Sequence, residues 1–113
     1  MAGQDKLFNA VGLAMRAGRC VSGEFAVEKA IKEQRALLIV LDGAASENTK
    51  KQYRSAVENV KIPLVFMNGA GEAIGRPERM ALAITDENFV KLIMNAAATG
   101  SAEGNTGVET HGK

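Results

Sequence analysis

Apolar residues along the chain follow two rhythms, one helical and one of short unbroken runs. Leu7, Phe8, Val11, Ala14 and Met15 recur at helical spacing, predicting a helix over residues 4–17 that Gly18 stops. Residues 17–32 then read as a short strand, a glycine turn and a helix over 24–33, with Ser22 placed to cap it. Ala26, Val27, Ala30 and Ile31 gather on the core face of that helix, while Phe25, Glu28, Lys29 and Lys32 fall on the other. The apolar run 36–41, ended by Asp42-Gly43, predicts a strand buried on both faces. Ser46 starts a third helix with Tyr53, Ala56, Val57 and Val60 inward; Glu47 with Lys51 and Arg54 with Glu58 are spaced to pair on its surface. A strand over 64–67 follows Ile62-Pro63, and Asn68-Gly69-Ala70-Gly71 turns into a short helix that Gly75 closes. Residues 80–85 form the last strand, and Asp86 caps a final helix with Phe89, Leu92, Ile93 and Ala96 on one face. From Thr99 to Lys113 the pattern stops in a polar, glycine-rich stretch, which reads as a disordered tail behind one domain of residues 1–98.

Helices alternating with short apolar strands predict an α/β domain, with a largely parallel sheet covered on both faces. The 113 residues suffice for one such domain and not for two. Fourteen basic residues (14) against 13 acidic ones exclude the strongly basic class that binds any polyanion, but leave room for a local cluster of cations. The single cysteine, Cys20, forms no internal disulfide and reads as a small buried strand residue. With neither a signal peptide nor a membrane-spanning stretch in view, the expected location is the cytoplasm. The only histidine, His111, falls in the tail. No Ser-His-Asp, Cys-His or metal-ligand set is then available to the folded part, so the expectation is a protein without catalysis, metal or cofactor.

Two features carry candidate chemistry. Gly69-x-Gly71-x-x-x-Gly75 follows a strand and opens a helix, as a phosphate-cradling loop does, but lacks the spacing of a dinucleotide fingerprint and the Lys-Ser or Lys-Thr of a P-loop. Arg19, Lys29 and Lys32 from the second-helix segment, with Arg76 and Arg79 from a later loop, would form a basic patch if those segments meet. Phe25 beside them would offer a ring for stacking on an unpaired base. RNA binding is the reading these residues favour. A protein–protein adaptor docking through Phe25 is the alternative, and a nucleotide site at Gly69–Gly75 comes third.

Leu13-Ala14-Met15-Arg16-Ala17-Gly18-Arg19, Ser22-Gly23-Glu24, Ala45-Ser46-Glu47-Asn48-Thr49-Lys50-Lys51, Ile62-Pro63 and Ala81-Leu82-Ala83-Ile84-Thr85-Asp86 run through the chain in that order. Together these stretches resemble the bacterial YlxQ proteins, within the larger ribosomal-protein family whose archaeal prototype (L-seven-Ae) binds kink-turn RNA. The likeness spans residues 5 to about 95 in one register. It implies a three-layer α-β-α sandwich around a four-stranded mixed sheet, no enzymatic activity and RNA as partner. The expected protein is a monomer that binds structured RNA, ribosomal or kink-turn-like, and neither DNA nor membrane. In that family RNA is held by the start of the second helix and by loops at the same end of the sheet. The basic patch and the resemblance together give as expected RNA contacts Arg19, Ser22, Gly23, Glu24, Phe25, Lys29, Lys32, Gly71, Arg76 and Arg79. Of the helix motif Gly-x-Asn-Glu-x-x-Lys, Gly23 and Lys29 match, while Phe25 and Ala26 stand at the Asn and Glu positions. Neither replacement can make the directional hydrogen bonds that Asn and Glu give to kink-turn guanines, whereas phosphate contacts persist. A second element, Leu-Gly-x-Ala-x-Gly, falls on residues 70–75 with Ala70 for its Leu, giving Gly71 and Gly75 a reason unrelated to nucleotides.

Overall fold

The apolar runs become strands of one sheet. The computed structural model describes residues 2–100 and 107–109. Strands β1 (Cys20–Ser22), β2 (Leu38–Asp42), β3 (Leu64–Met67) and β4 (Ala81–Ile84) form a mixed four-stranded sheet, and β5 (Gly107–Glu109) extends one edge, in the order β1-β4-β2-β3-β5. Only β2 and β3 run parallel; β4 lies antiparallel between β1 and β2. The sheet is therefore mixed, as the family resemblance implies, and not the largely parallel one suggested by helix–strand alternation. Alternation locates strands but cannot tell that the chain brings β4 back, reversed, between two earlier ones.

Among the described residues five helices cover the sheet: α1 (Ala2–Arg16), α2 (Glu24–Lys32), α3 (Glu47–Val60), the single turn α4 (Ala70–Ala73) and α5 (Glu87–Gly100). The two-residue alternation of β2 divides the core between them. Leu38 and Val40 pack with Leu7, Val11, Ala14 and Ile93 on the α1, α4 and α5 side. Ile39 and Leu41 pack with Val27, Ala30, Tyr53 and Val57 on the α2 and α3 side. This is a three-layer α-β-α sandwich. Some expected core positions turn outward: Phe8, Val60 and Leu92 are 37%, 39% and 43% exposed. Small residues, Ala10, Ala96 and Ala97, take the inner positions where α1 and α5 pack, leaving the larger side chains at the surface. Among the described residues no helix is long and apolar enough to cross a membrane.

Two predicted caps are present. Ser46 Oγ accepts a hydrogen bond from Thr49 N at 3.1 Å, and Asp86 Oδ1 accepts one from Asn88 N at 2.7 Å. Ser22 is not a cap: it lies inside β1, opposite Leu82, and Gly23 occupies the cap position of α2 without a side-chain bond. On α3, Glu47 pairs with Lys50 at 3.6 Å and not with Lys51 as expected, and the Arg54 guanidinium lies 5.2 Å from the centre of the Phe66 ring. Cys20 is buried in β1, where burial pushes its thiol up to about 12, so it is an inert strand residue. Two parts of the stretch read as a disordered tail belong to regular elements: Thr99 and Gly100 complete α5, and residues 107–109 pair antiparallel with β3. That pairing runs through the main chain of an otherwise open edge, which composition does not report. The rest of the expected tail, His111 included, lies outside the described residues.

Candidate nucleic-acid interface

Strand directions decide which loops meet. With β2 and β3 parallel and β4 reversed, the C-terminal ends of β1, β2 and β3 share one end of the sheet with the start of β4. Backbone bonds tie that end together: Gly23 N donates to Ala81 O at 3.0 Å, Asp42 N to Met80 O at 2.8 Å and Gly43 N to Met67 O at 2.9 Å. The start of α2 and the loop of residues 75–80 are thus neighbours, although far apart in sequence.

Arg79 joins them. Its Nη1 donates to Ser22 O at 3.0 Å, and its Nε donates to Glu78 Oε2 at 3.3 Å. The Glu78 carboxyl is held below its usual range, first by a backbone N–H and then by Arg79. The guanidinium packs against Gly23, where φ is +93° and a Cβ would collide with Arg79 Nη1. Glycine is needed there for both reasons. Gly71 anchors the other end of the loop. A Cβ on it would collide with Arg76 O and lie 2.5 Å from Arg79 O and 3.0 Å from Pro77 O. Three carbonyls therefore fold over Gly71, and Arg76 N donates back to Gly71 O at 2.8 Å.

Beneath the loops lies a residue that the sequence reading took only as a strand end. Asp42 is 9% exposed; its Oδ1 accepts from Ala44 N at 2.9 Å and its Oδ2 from Ala70 N at 3.1 Å. One carboxylate thereby fixes the β2–α3 loop and the start of α4. The Asp-Gly pair ending an apolar run signals the local Asx turn. The bond to Ala70 has no local signature. It also corrects the nucleotide reading of Gly69–Gly75, because a carboxylate already occupies the α4 N-terminus, where a phosphate would have to sit.

The expected site residues divide. Ser22, Gly23, Glu24, Phe25, Gly71, Arg76 and Arg79 come together at this end. Phe25, in the first turn of α2, is 84% exposed. Lys29 is exposed one turn further along the same helix. Lys32 closes α2, about 12 Å from its start. Arg19 is not part of the cluster. It sits at the opposite end of the sheet, where its carbonyl accepts from Thr85 N at 3.0 Å and its Nε lies 3.5 Å from Asp86 Oδ2. Cation spacing alone could not tell the two ends apart.

Fold and site define a small α-β-α module whose loops gather exposed aromatic, cationic and backbone groups at one sheet end. The chain belongs to the Ribosomal protein L7Ae/L30e/S12e/Gadd45 family, which it matches over residues 5–94. It is 35% identical over 91 residues to the RNA-binding protein YlxQ of Bacillus subtilis (strain 168), covering 78% of this chain and 91% of that protein. To the RNA-binding protein YlxQ of Enterococcus faecium it is 33% identical over 91 residues, covering 78% and 87%. Among solved structures, a protein of unknown function from Bacillus halodurans superposes with a TM-score of 0.75 at 30% identity, covering 80% of this chain and 95% of that one. The 15.5kD RNA binding protein of Giardia lamblia superposes with a TM-score of 0.69 over 90% of each chain; at 15% identity the likeness is one of fold.

Proposed function

We propose that this chain is a non-catalytic module binding structured RNA, ribosomal RNA foremost, as a cytoplasmic monomer, through the loop end of its sheet. The observation that carries this reading is the bridge from Arg79 to the Ser22 carbonyl at 3.0 Å, which holds the 76–79 loop against the start of α2 beside Phe25. Relatives named as RNA-binding proteins support it. In this reading Arg76, Arg79 and Lys29 meet phosphates, and Phe25 covers a base or sugar. A stacked base contributes on the order of 1–3 kcal/mol. With Phe25 and Ala26 in place of hydrogen-bonding side chains, guanine edges are read weakly, so kink-turn RNA holds no large advantage over other structured RNA.

The test is a fluorescence titration against a kink-turn RNA and against structured ribosomal RNA fragments, each at low and moderate salt. Binding that weakens with salt is expected for both, and Phe25→Ala should weaken it without altering the salt dependence. A protein that binds neither RNA overturns the proposal. Strong preference for the kink-turn alone would show that guanine reading survives by other residues.

A further inference from the structure

One edge of the sheet is closed by residues outside the module shared with the family. β5 pairs with β3 in the register Leu64↔Glu109, Val65↔Val108 and Phe66↔Gly107, whereas the family match ends at residue 94. Ladder bonds to β2 identify the groups that β5 covers. Ile39 N donates to Pro63 O at 3.1 Å and Gly43 N to Met67 O at 2.9 Å, so those carbonyls, and by alternation the main chain of Val65, point at β2. Leu64 and Phe66 turn their main-chain groups the opposite way, onto the edge. The strand is apolar throughout, and Leu64, Val65 and Met67 are fully buried. Left open, such an edge is a template for another chain. The far edge strand, β1, is a poorer one, because it is three residues long, partly exposed and ends in Ser22.

The cover itself is slight. It is three residues long, begins with a glycine, which weakens a strand, and ends with a glutamate, which strands disfavour. A second copy of β3 fits the same seat better. Set antiparallel about a two-fold axis at Val65, it places the copy's Val65 where Val108 stands. The copy's Phe66 and Leu64 then stand in place of Glu109 and Gly107, so apolar cross-strand pairs replace a carboxylate and a glycine. We propose that β5 is a detachable cover that keeps β3 from pairing, edge to edge, with the β3 of a second copy. β5 holds the seat because it is tethered to the same chain, whereas a copy must arrive from solution. Releasing β5 lets two chains join into one continuous sheet whose two loop ends face opposite ways.

The experiment compares the unaltered full chain with one carrying Gly107→Pro and Glu109→Pro, by sedimentation at rising concentration and by amide exchange. Both positions stand opposite edge-facing residues of β3, and proline at each withdraws a ladder donor. In dilute solution the Leu64 and Phe66 amides should be protected in the unaltered chain and exchange freely in the variant. Val65, which faces β2, should stay protected in both and so report that the domain is folded. As concentration rises, the variant should dimerise on the order of tenfold more tightly than the unaltered chain, and protection of Leu64 and Phe66 should return. Adding Phe66→Pro, which removes an edge-facing donor and no bond to β2, should restore the monomer with Val65 still protected. A variant that stays monomeric while its edge amides exchange freely overturns the proposal. So does an unaltered chain whose Leu64 and Phe66 amides are unprotected when dilute, or which dimerises as tightly as the variant. Association that survives Phe66→Pro overturns it as well, because it runs through another surface.

Discussion

Replacing Gly71 by alanine tests how the candidate interface is held. The new methyl group would meet three carbonyl oxygens: Arg76 O in collision, Arg79 O at 2.5 Å and Pro77 O at 3.0 Å. All three belong to the backbone, so no flexible side chain can swing away. Overpacking of this kind costs about 3 kcal/mol, since the loop must lift as a unit. In a chain of 113 residues that lowers the thermal midpoint by roughly 10–20 °C. Lifting the loop also carries Arg79 away from Ser22, so RNA affinity measured well below the midpoint should fall as well. Gly75→Ala is the control within the same loop. There φ is +78° with nothing within 4 Å, so the cost is backbone strain alone, about 1 kcal/mol. Calorimetry of both variants with RNA titration at a temperature where each is folded makes the comparison. If Gly71→Ala costs no more than Gly75→Ala, the carbonyl cradle does not hold the loop.

Three further outcomes follow from the same structure. Lys29→Ala should weaken RNA binding and reduce the slope of log affinity against log salt by about 0.7–0.9, read from titrations at several salt concentrations; an unchanged slope removes Lys29 from the phosphate contacts. Asp42→Ala leaves the Ala44 and Ala70 N–H groups without their acceptor and should cost about 2–5 kcal/mol in denaturant unfolding, with Asp42→Asn costing less. Tyr53 is pushed from 10.0 to about 12, first by burial and then by the Glu24 and Glu28 carboxylates. Below pH 10 folded and unfolded chains both keep its proton, and between 10 and 12 the unfolded chain releases it first. Stability should therefore fall across that window by about 2–3 kcal/mol, and Tyr53→Phe should remove that part of the fall. Alkaline absorbance of the folded protein, which has one tyrosine, reports the titration directly; ionisation near 10 would refute the shift.

How far the sequence reached depends on the range of the interaction concerned. Strand β2 was legible because Leu38–Leu41 are buried on both faces and leave an unbroken apolar run. The Ser46 and Asp86 caps were legible because donor and acceptor lie within three residues. The Ser22 cap failed because Ser22 is drawn into pairing with Leu82, a contact that no local pattern encodes. The same limit explains the site. Phe25 stood out at once as an aromatic residue on a polar helix face, and the glycine and loop positions followed from the family likeness. Arg19 was misplaced because its end of the sheet is fixed only by the pairing of β1 with β4. The buried carboxylate of Asp42 was missed because its second partner, Ala70, lies 28 residues away.

The position of β4 also sets a schedule for synthesis. β1 has one neighbour in the sheet, and that neighbour is β4. Arg79 and Ser22, whose contact closes the interface, are 57 positions apart. A growing chain can make α1, β2, α3 and β3 in order, but β1 and the start of α2 have no sheet to join until residues 81–84 have been made. Assembly of the proposed RNA-binding end therefore waits for β4. A nascent chain interrupted after β3 carries Gly23, Phe25 and Lys29 but not the loop of residues 75–80 that packs beside them, and so lacks the surface proposed to meet RNA.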